Sequence, residues 1–236
     1  MASLNLVAQR ALGLRADHLV PFRGRHRLGP DTVVAWQRLR RRGQALGFDL
    51  TIASGFRSYA RQRMIWDAKA AGNRIVVDGK GRPLQRASMS DGEWIDAIMR
   101  FSALPGTSRH HWGSDLDVYD AAAIDDGYRL RLEPDEYTGD GPFAALSDWL
   151  GDCISRDDAE GFFRPYAEDQ GGVAPEPWHV SHRDTAQGFS PAVSAELLVP
   201  LWRGDPQWPE TSPLALGESV IDRVAELWGR FVNLGC

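Results

Sequence analysis

The sequence predicts an α+β fold: a small central, mainly antiparallel sheet flanked by helices, with a helical C-terminal extension. Three observations predict it. The segments FDLTIAS (48–54) and DLDVY (115–119) alternate apolar and polar residues, as half-buried strands do. Two further short strand patterns flank a Gly/Pro-rich turn between residues 161 and 182. Several longer stretches repeat apolar residues at helical spacing, and two of them lie together in the tail. With 236 residues, no internal repeat and no long linker, the chain is expected to form one domain over 1–236. Its core is expected at about residues 30–184, with 185–236 packed on it as the extension.

Taken in order, PFRGRHRLGP (21–30) reads as a loop. DTVVAWQRLRRRGQALG (31–47) reads as a helix with Asp31 as N-cap, a stripe of Ala35, Trp36, Leu39 and Leu46, and Gly47 as its stop. The basic run Arg38, Arg40, Arg41 and Arg42 falls inside that helix and reads as a solvated face. After strand 48–54, Gly55 permits a turn, and Ser58 caps a helix over 59–72 that Gly72 closes. Residues 73–84, with Asp78-Gly79, read as a hairpin or excursion loop, and 91–101 as a helix. GPFAALSDWLGDCIS (141–155) places Phe143, Leu146, Trp149, Leu150 and Cys153 on one helical face, with Pro142 at the first position. PAVSAELLVPLW (191–202) is helical, and Pro200 is expected to end or kink it. In 214–234, Leu216, Val220, Val224, Leu227 and Phe231 fall on one stripe.

Composition excludes several classes. There are 27 Lys+Arg against 32 Asp+Glu, a net charge of −5. A nucleic-acid partner normally needs a clustered basic surface, so none is expected. No run approaches 18 consecutive apolar residues, so no membrane span is expected. Asn5, Gln9, Arg10 and Arg15 interrupt the apolar core that a secretory signal needs, so the mature chain is expected to start here and to work in the cytoplasm. Cys153 and Cys236 are too few for a disulfide framework or a Cys-rich metal site, and Cys153 reads as a small buried hydrophobe.

Four of the six histidines fall in two tight places, each beside carboxylates. One is His110-His111, within Ser108-Arg109-His110-His111-Trp112-Gly113-Ser114-Asp115-Leu116-Asp117, and the other is His179 with His182, led by Pro175-Glu176-Pro177-Trp178-His179-Val180. Two imidazoles and a carboxylate would hold a catalytic metal with one position left open, and a second carboxylate held off the metal would move protons. Glu176 lies between two prolines, which disfavour helix. On a straight strand, 176 and 179 would face opposite ways, so both reach one centre only if the chain bends. Spacing leaves His110 or His111, and Asp115 or Asp117, as alternatives. His18 and His26 read as structural or surface residues, and a surface role is equally open to His111 and His182.

Ser108-x-His110-x-x-Gly113-x-x-x-Asp117, followed by Glu176-x-Trp178-His179, resembles the signature of the zinc D-alanyl-D-alanine carboxypeptidases and dipeptidases of vancomycin-resistance type. Ser54-Gly55-Phe56-Arg57-Ser58, with Gln62 downstream, is similar to a third segment of that family. The motifs span 54–180, slightly more than half of the chain. The resemblance implies a sheet that carries a Zn2+ site, with His110, Asp117 and His179 as ligands and Glu176 as general base. It implies Arg57 as a cation for the substrate or the oxyanion, Ser108 near the substrate, and Gln62 as a substrate contact. It implies hydrolysis of a D-Ala-D-Ala bond in a peptidoglycan-derived peptide. Phe56 replaces the family's Tyr, and Trp112 is bulkier than the family's residue and is expected to narrow the cleft.

Carboxypeptidase action also needs a cation or a backbone donor for the terminal carboxylate, and Arg57, Arg109, Arg164 and Arg183 are the near cationic candidates. Asp115 is expected to face solvent or to orient a ligand histidine, and Trp178 to pack beside the metal. Three alternatives stand beside this reading. One is an endopeptidase of phage-lysin type, released by lysis. Another is a non-haem iron enzyme, which lacks the usual close His/carboxylate spacing here. The last is a non-catalytic zinc-binding module, which would have no need of Glu176. Nothing in the sequence sets the oligomeric state.

Overall fold

Alternating side chains build the sheet that positions the site. In the computed structural model, which describes residues 4–79, 81–206, 212–232 and 235, the chain begins with helix α1 (Leu6–Ala11). Strands β1 (Val20–Phe22) and β2 (His26–Leu28) follow as an antiparallel hairpin. This corrects the loop expected over 21–30. Arg23 and Gly24, both at positive φ, make a reversal between two three-residue strands too short to leave a periodicity. Helix α2 (Pro30–Gln44) starts one residue before the expected segment. Pro30 occupies its first turn and Gly29 is the N-cap, so Asp31 meets the helix dipole from inside the first turn and does not cap it. Leu46 lies beyond the helix and is exposed, while Ala35, Trp36 and Leu39 are buried as predicted. The basic run is only partly a free face: Arg38 and Arg41 are exposed, whereas Arg40 pairs with Asp49 and Arg42 with Asp158.

Strand β3 (Leu50–Ser54) leads into helix α3 (Tyr59–Ala70), where the Ser58 side chain accepts the Arg61 N–H as the sequence predicts. An excursion closed by a bridge between Val77 and Pro83 precedes α4 (Asp91–Met99), whose N-terminus carries a capping box of Ser90 and Glu93. Strand β4 (Asp115–Asp120) is followed by α5 (Ala144–Ser155), for which Phe143 is the N-cap. Pro142 therefore stands ahead of the helix and not at its first position. Strands β5 (Phe162–Phe163) and β6 (His179–His182) flank the Gly/Pro-rich turn, and α6 (Arg183–Gln187) follows directly.

The tail forms α7 (Ala195–Arg203), α8 (Gly217–Asp222) and α9 (Val224–Phe231). Pro200 sits inside α7, which runs three residues past it and stops at Gly204 in the left-handed conformation. The stripe predicted over 214–234 is broken at Arg223. That residue donates to the Gly92 carbonyl and pairs with Asp96 and Glu226, which anchors the break to α4. Cys236, residues 233–234 at the end of the predicted stripe, residues 1–3 and Lys80 lie outside the described residues. No helix among the described residues is long and apolar enough to cross a membrane.

The four-stranded sheet has the order β3-β4-β6-β5, and every neighbouring pair is antiparallel. Leu116, Val118 and Val180 turn to one face, where they pack with Trp36, Leu39, Leu50, Leu146 and Phe162. A second apolar cluster joins α3, α4 and the tail through Trp66, Trp94, Ile98, Leu198, Trp202 and Leu227. The tail is thus built into a core. Strand β4 departs from the half-buried pattern: its other face is also buried, at Asp115 and Asp117. Alternation leaves open whether Asp115 faces solvent or orients a ligand histidine, and both carboxylates are enclosed because the site lies over them.

Candidate metal centre

Register brings the site together. In the β4–β6 ladder, Asp117 lies directly opposite His179 and Asp115 opposite Ser181, so all four side chains share the face away from the apolar cluster. His110 comes from a short 3₁₀ turn (Arg109–His111) just before β4. Gly113 links the two at φ +73°, and a Cβ there would meet Leu19 Cδ2 at 2.3 Å and the Gly29 backbone nitrogen at 3.0 Å. The bend that Glu176 requires is present: the His179 N–H donates to the Glu176 carbonyl at 3.0 Å, and the Glu176 N–H donates to the Tyr166 carbonyl at 2.9 Å.

His110, Asp117 and His179 each offer a ligand atom within 4.8 Å of the others, and all three are buried. His110 Nε2 is 3.4 Å from Asp117 Oδ2, and His179 Nδ1 is 3.2 Å from Asp117 Oδ1. Glu176 Oε2 is 3.3 Å from His179 Nδ1. The hydrogen bonds on the far side of each ring identify the tautomers. His110 Nδ1 faces the Gly55 carbonyl at 2.9 Å, which only accepts, so the proton is on Nδ1 and Nε2 turns its lone pair to Asp117. His179 Nε2 faces Asp115 Oδ1 at 2.9 Å, so Nδ1 turns inward.

Electrostatics fit a cation there. Burial works against charging His179, but hydrogen bonds to Asp115, Asp117 and Glu176 outweigh it and hold its pKa well above the usual imidazole range. Burial would raise Asp117, yet His110 and His179 pull it well below the ordinary carboxylate value. Two inward nitrogens, that of His179 carrying a proton which a metal ion would displace, and a carboxylate, buried together beside a further carboxylate, are a donor set that a divalent metal of the zinc type satisfies.

Asp115 orients a ligand candidate, as one of its expected roles had it, and does not face solvent. It is fully buried, and Arg109 Nε donates to its Oδ1 at 2.8 Å while Ser114 and Ser181 hydroxyls donate to Oδ2. His111 does not join the centre and is not on the surface. Its Nδ1 lies 2.6 Å from the Arg57 carbonyl, its Nε2 accepts the Gly106 N–H, and burial pushes its pKa down to about 3. His182 is buried as well, with Nδ1 2.9 Å from Thr185 Oγ1.

The centre opens into a cleft of about 260 Å³ lined by Arg57, Ser108 and Glu176 as well as the three clustered residues. Arg57 is held by Gln62, whose Oε1 accepts from Nη1 at 2.8 Å, and its backbone N–H donates to the His110 carbonyl. Gln62 itself is fully buried and its Nε2 donates to the Ala103 carbonyl. It stands behind Arg57 and does not line the cleft, which corrects its expected role as a substrate contact. Trp112 does not narrow the cleft either: it is buried in the second apolar cluster with its indole N–H on the Ala11 carbonyl. Trp178 packs beside the centre against Tyr137, with ring centroids 5.6 Å apart.

Of the four cations considered for a terminal carboxylate, Arg57 remains. Arg109 lines the cleft but is committed to Asp115, Arg164 donates to Ser147, and Arg183 stacks on Phe163. Several lining residues carry no signal in the sequence motifs, Tyr166, Lys69, Arg74 and Ser102 among them. Tyr166 stands edge-on to His179 with ring centroids 5.1 Å apart. Lys69 follows Gln62 and Trp66 at helical spacing on α3, so its inward direction was readable from Trp66.

A family model described as VanY, D-alanyl-D-alanine carboxypeptidase, matches residues 25–185, a span that contains all four strands of the sheet and every clustered residue. Two uncharacterized proteins of Haemophilus influenzae are similar. One is 36% identical over 104 residues, covering 43% of this chain and 77% of that protein. The other is 34% identical over 105 residues, covering 43% and 72%. Among solved structures, VanYB in complex with D-alanine-D-alanine is 20% identical with a TM-score of 0.50, over 78% of this chain and 89% of that one, and that likeness is one of fold.

Proposed function

The chain belongs to the VanY family of D-alanyl-D-alanine carboxypeptidases, and from that premise we propose that it is a zinc peptidase removing the C-terminal D-alanine from peptidoglycan-derived peptides that end in D-Ala-D-Ala. The observation that carries this reading is the convergence of His110, Asp117 and His179 beside Glu176 at the floor of one cleft. These three residues would hold the zinc ion. When bound, zinc supplies Lewis acidity and a sink for negative charge developing on the scissile carbonyl.

The chain's own groups do the rest. Asp115 and the Gly55 carbonyl fix the two imidazoles through their outer nitrogens. Glu176 Oε2 accepts a proton from the attacking water and passes it to the leaving amine nitrogen as the C–O bond forms and the C–N bond breaks. Prolines 175 and 177 and the hydrogen bond to Tyr166 hold that carboxylate in place. Arg57, propped by Gln62, faces the oxyanion, where one well-placed donor contributes about 3–4 kcal/mol.

The test is incubation of zinc-loaded protein with a pentapeptide ending in D-Ala-D-Ala, followed by mass spectrometry. The expected product lacks a single alanine residue. Cleavage only at internal bonds, or only of intact sacculi, would assign an endopeptidase instead.

A further inference from the structure

The cleft holds more positive charge than the reaction so far described uses. Arg57, Lys69 and Arg74 all line it, and among the described residues none of the three is in an ion pair. The other lining arginines are committed, Arg109 to Asp115 and Arg131 to the acidic residues of its own loop.

Lys69 is the least expected of them. It lies in the last turn of α3 and is only 9% exposed. Buried lysines are rare unless they are paired with an acid. Here Nζ donates to Ser102 Oγ at 2.7 Å, a neutral hydroxyl that cannot balance the charge. One hydrogen bond leaves two of the three ammonium donors unassigned within the chain. The turn is locked from behind, because the Trp94 indole N–H donates to the Lys69 carbonyl at 3.0 Å. Burial pushes the amine down to about 8, the Arg74 and Arg57 charges push the same way, and Glu176 opposes them. An apolar residue of the same length would fill this space with no desolvation cost, so packing does not account for the charge.

Position separates the work of the cations. Arg57 is tied to the His110 end of the cleft by its backbone N–H, while Lys69 is tied through Ser102 to the segment after α4. We propose that Lys69, with Ser102 and Arg74 beside it, binds the free α-carboxylate of the residue being removed and thereby confines the enzyme to exopeptidase cleavage. This rests on the peptidase reading above. It leaves Arg57 to the reacting carbonyl.

The experiment compares kcat/KM for a peptide ending in D-Ala-D-Ala with that for its C-terminal amide. The wild type is expected to prefer the free acid by about 100-fold. Lys69→Met should lose about that factor on the acid, mainly in KM, change little on the amide, and keep the wild-type zinc content and thermal midpoint. Lys69→Arg should restore part of the loss. A folded Lys69→Met that keeps the acid preference overturns the subsite. If that variant does not fold, Ser102→Ala should show a smaller loss confined to the acid, and an unchanged acid preference in it overturns the subsite equally. A wild type that cleaves acid and amide alike overturns the subsite while leaving the peptidase reading intact. A zinc-loaded wild type that cleaves neither peptide contradicts that reading, and the subsite with it.

Discussion

Glu176→Ala is expected to lower kcat for D-alanine release by about 10²–10⁴-fold while leaving one zinc ion per chain. The separation of the two effects follows from where the carboxylate stands. Asp117 faces both imidazoles from β4, whereas Glu176 approaches the His179 nitrogen from the bend before β6 and keeps its side chain 14% exposed to the cleft. Removing it takes away the proton carrier and leaves the His110–Asp117–His179 donor set whole. Glu176→Gln should behave in the same way, because it keeps the shape and a hydrogen-bonding oxygen but cannot accept the water's proton. Steady-state kinetics with metal analysis on the same preparation reads both quantities. A variant that loses its zinc, or that turns over at the wild-type rate, would remove Glu176 from the role of base.

Arg109→Met carries the largest expected cost in stability, about 3–5 kcal/mol. Both partners of the Arg109–Asp115 pair have fully buried side chains. Arg109 also donates to Ser181 Oγ and to the Gly235 carbonyl, each at 2.8 Å, and its guanidinium lies 4.7 Å from the Trp112 ring centroid. With the cation gone, the Asp115 carboxylate is left buried against two hydroxyls and the His179 ring. The double variant Arg109→Met/Asp115→Asn should recover a substantial part of the loss, since it removes the stranded charge as well. Both single and double variants are also expected to weaken metal affinity by about 10–100-fold, because Asp115 fixes the His179 ring. Denaturant unfolding of the four proteins in the cycle measures the coupling. A single variant as stable as the wild type would show that Asp115 does not depend on this arginine.

Much of the centre is legible in the sequence because it is carried by strands and a turn. The alternation in 115–119 places Asp115 and Asp117 on one face, and prolines 175 and 177 announce the bend that lets Glu176 and His179 meet. What alternation does not carry is what covers the face. Asp115 therefore stays open between facing solvent and orienting a ligand histidine until Arg109 is seen to fold back over it. Gln62 illustrates a second limit. Its place on α3 is readable from Ser58, but whether its amide reaches the cleft or stands behind Arg57 depends on the Ala103 carbonyl, 41 residues away in sequence. Short elements are lost for a different reason. Strands β1 and β2 have three residues each, too few for a period, and the break at Arg223 is imposed by its pairing with Asp96 on α4. Lys69 reads as a surface residue because lysine ordinarily is one, although Trp66 on the same turn marks that side as the inner one.

The most direct test is the zinc stoichiometry of the purified protein after loading and dialysis, with X-ray absorption at the zinc edge to identify the ligands. One zinc per chain, bound by nitrogen and oxygen with two imidazoles and no sulfur, is the expected result, and Asp117→Ala and His179→Ala should each abolish it. A wild type that takes up no zinc, or either variant binding a full equivalent, would show that residues 110, 117 and 179 do not form the centre on which the proposed chemistry depends.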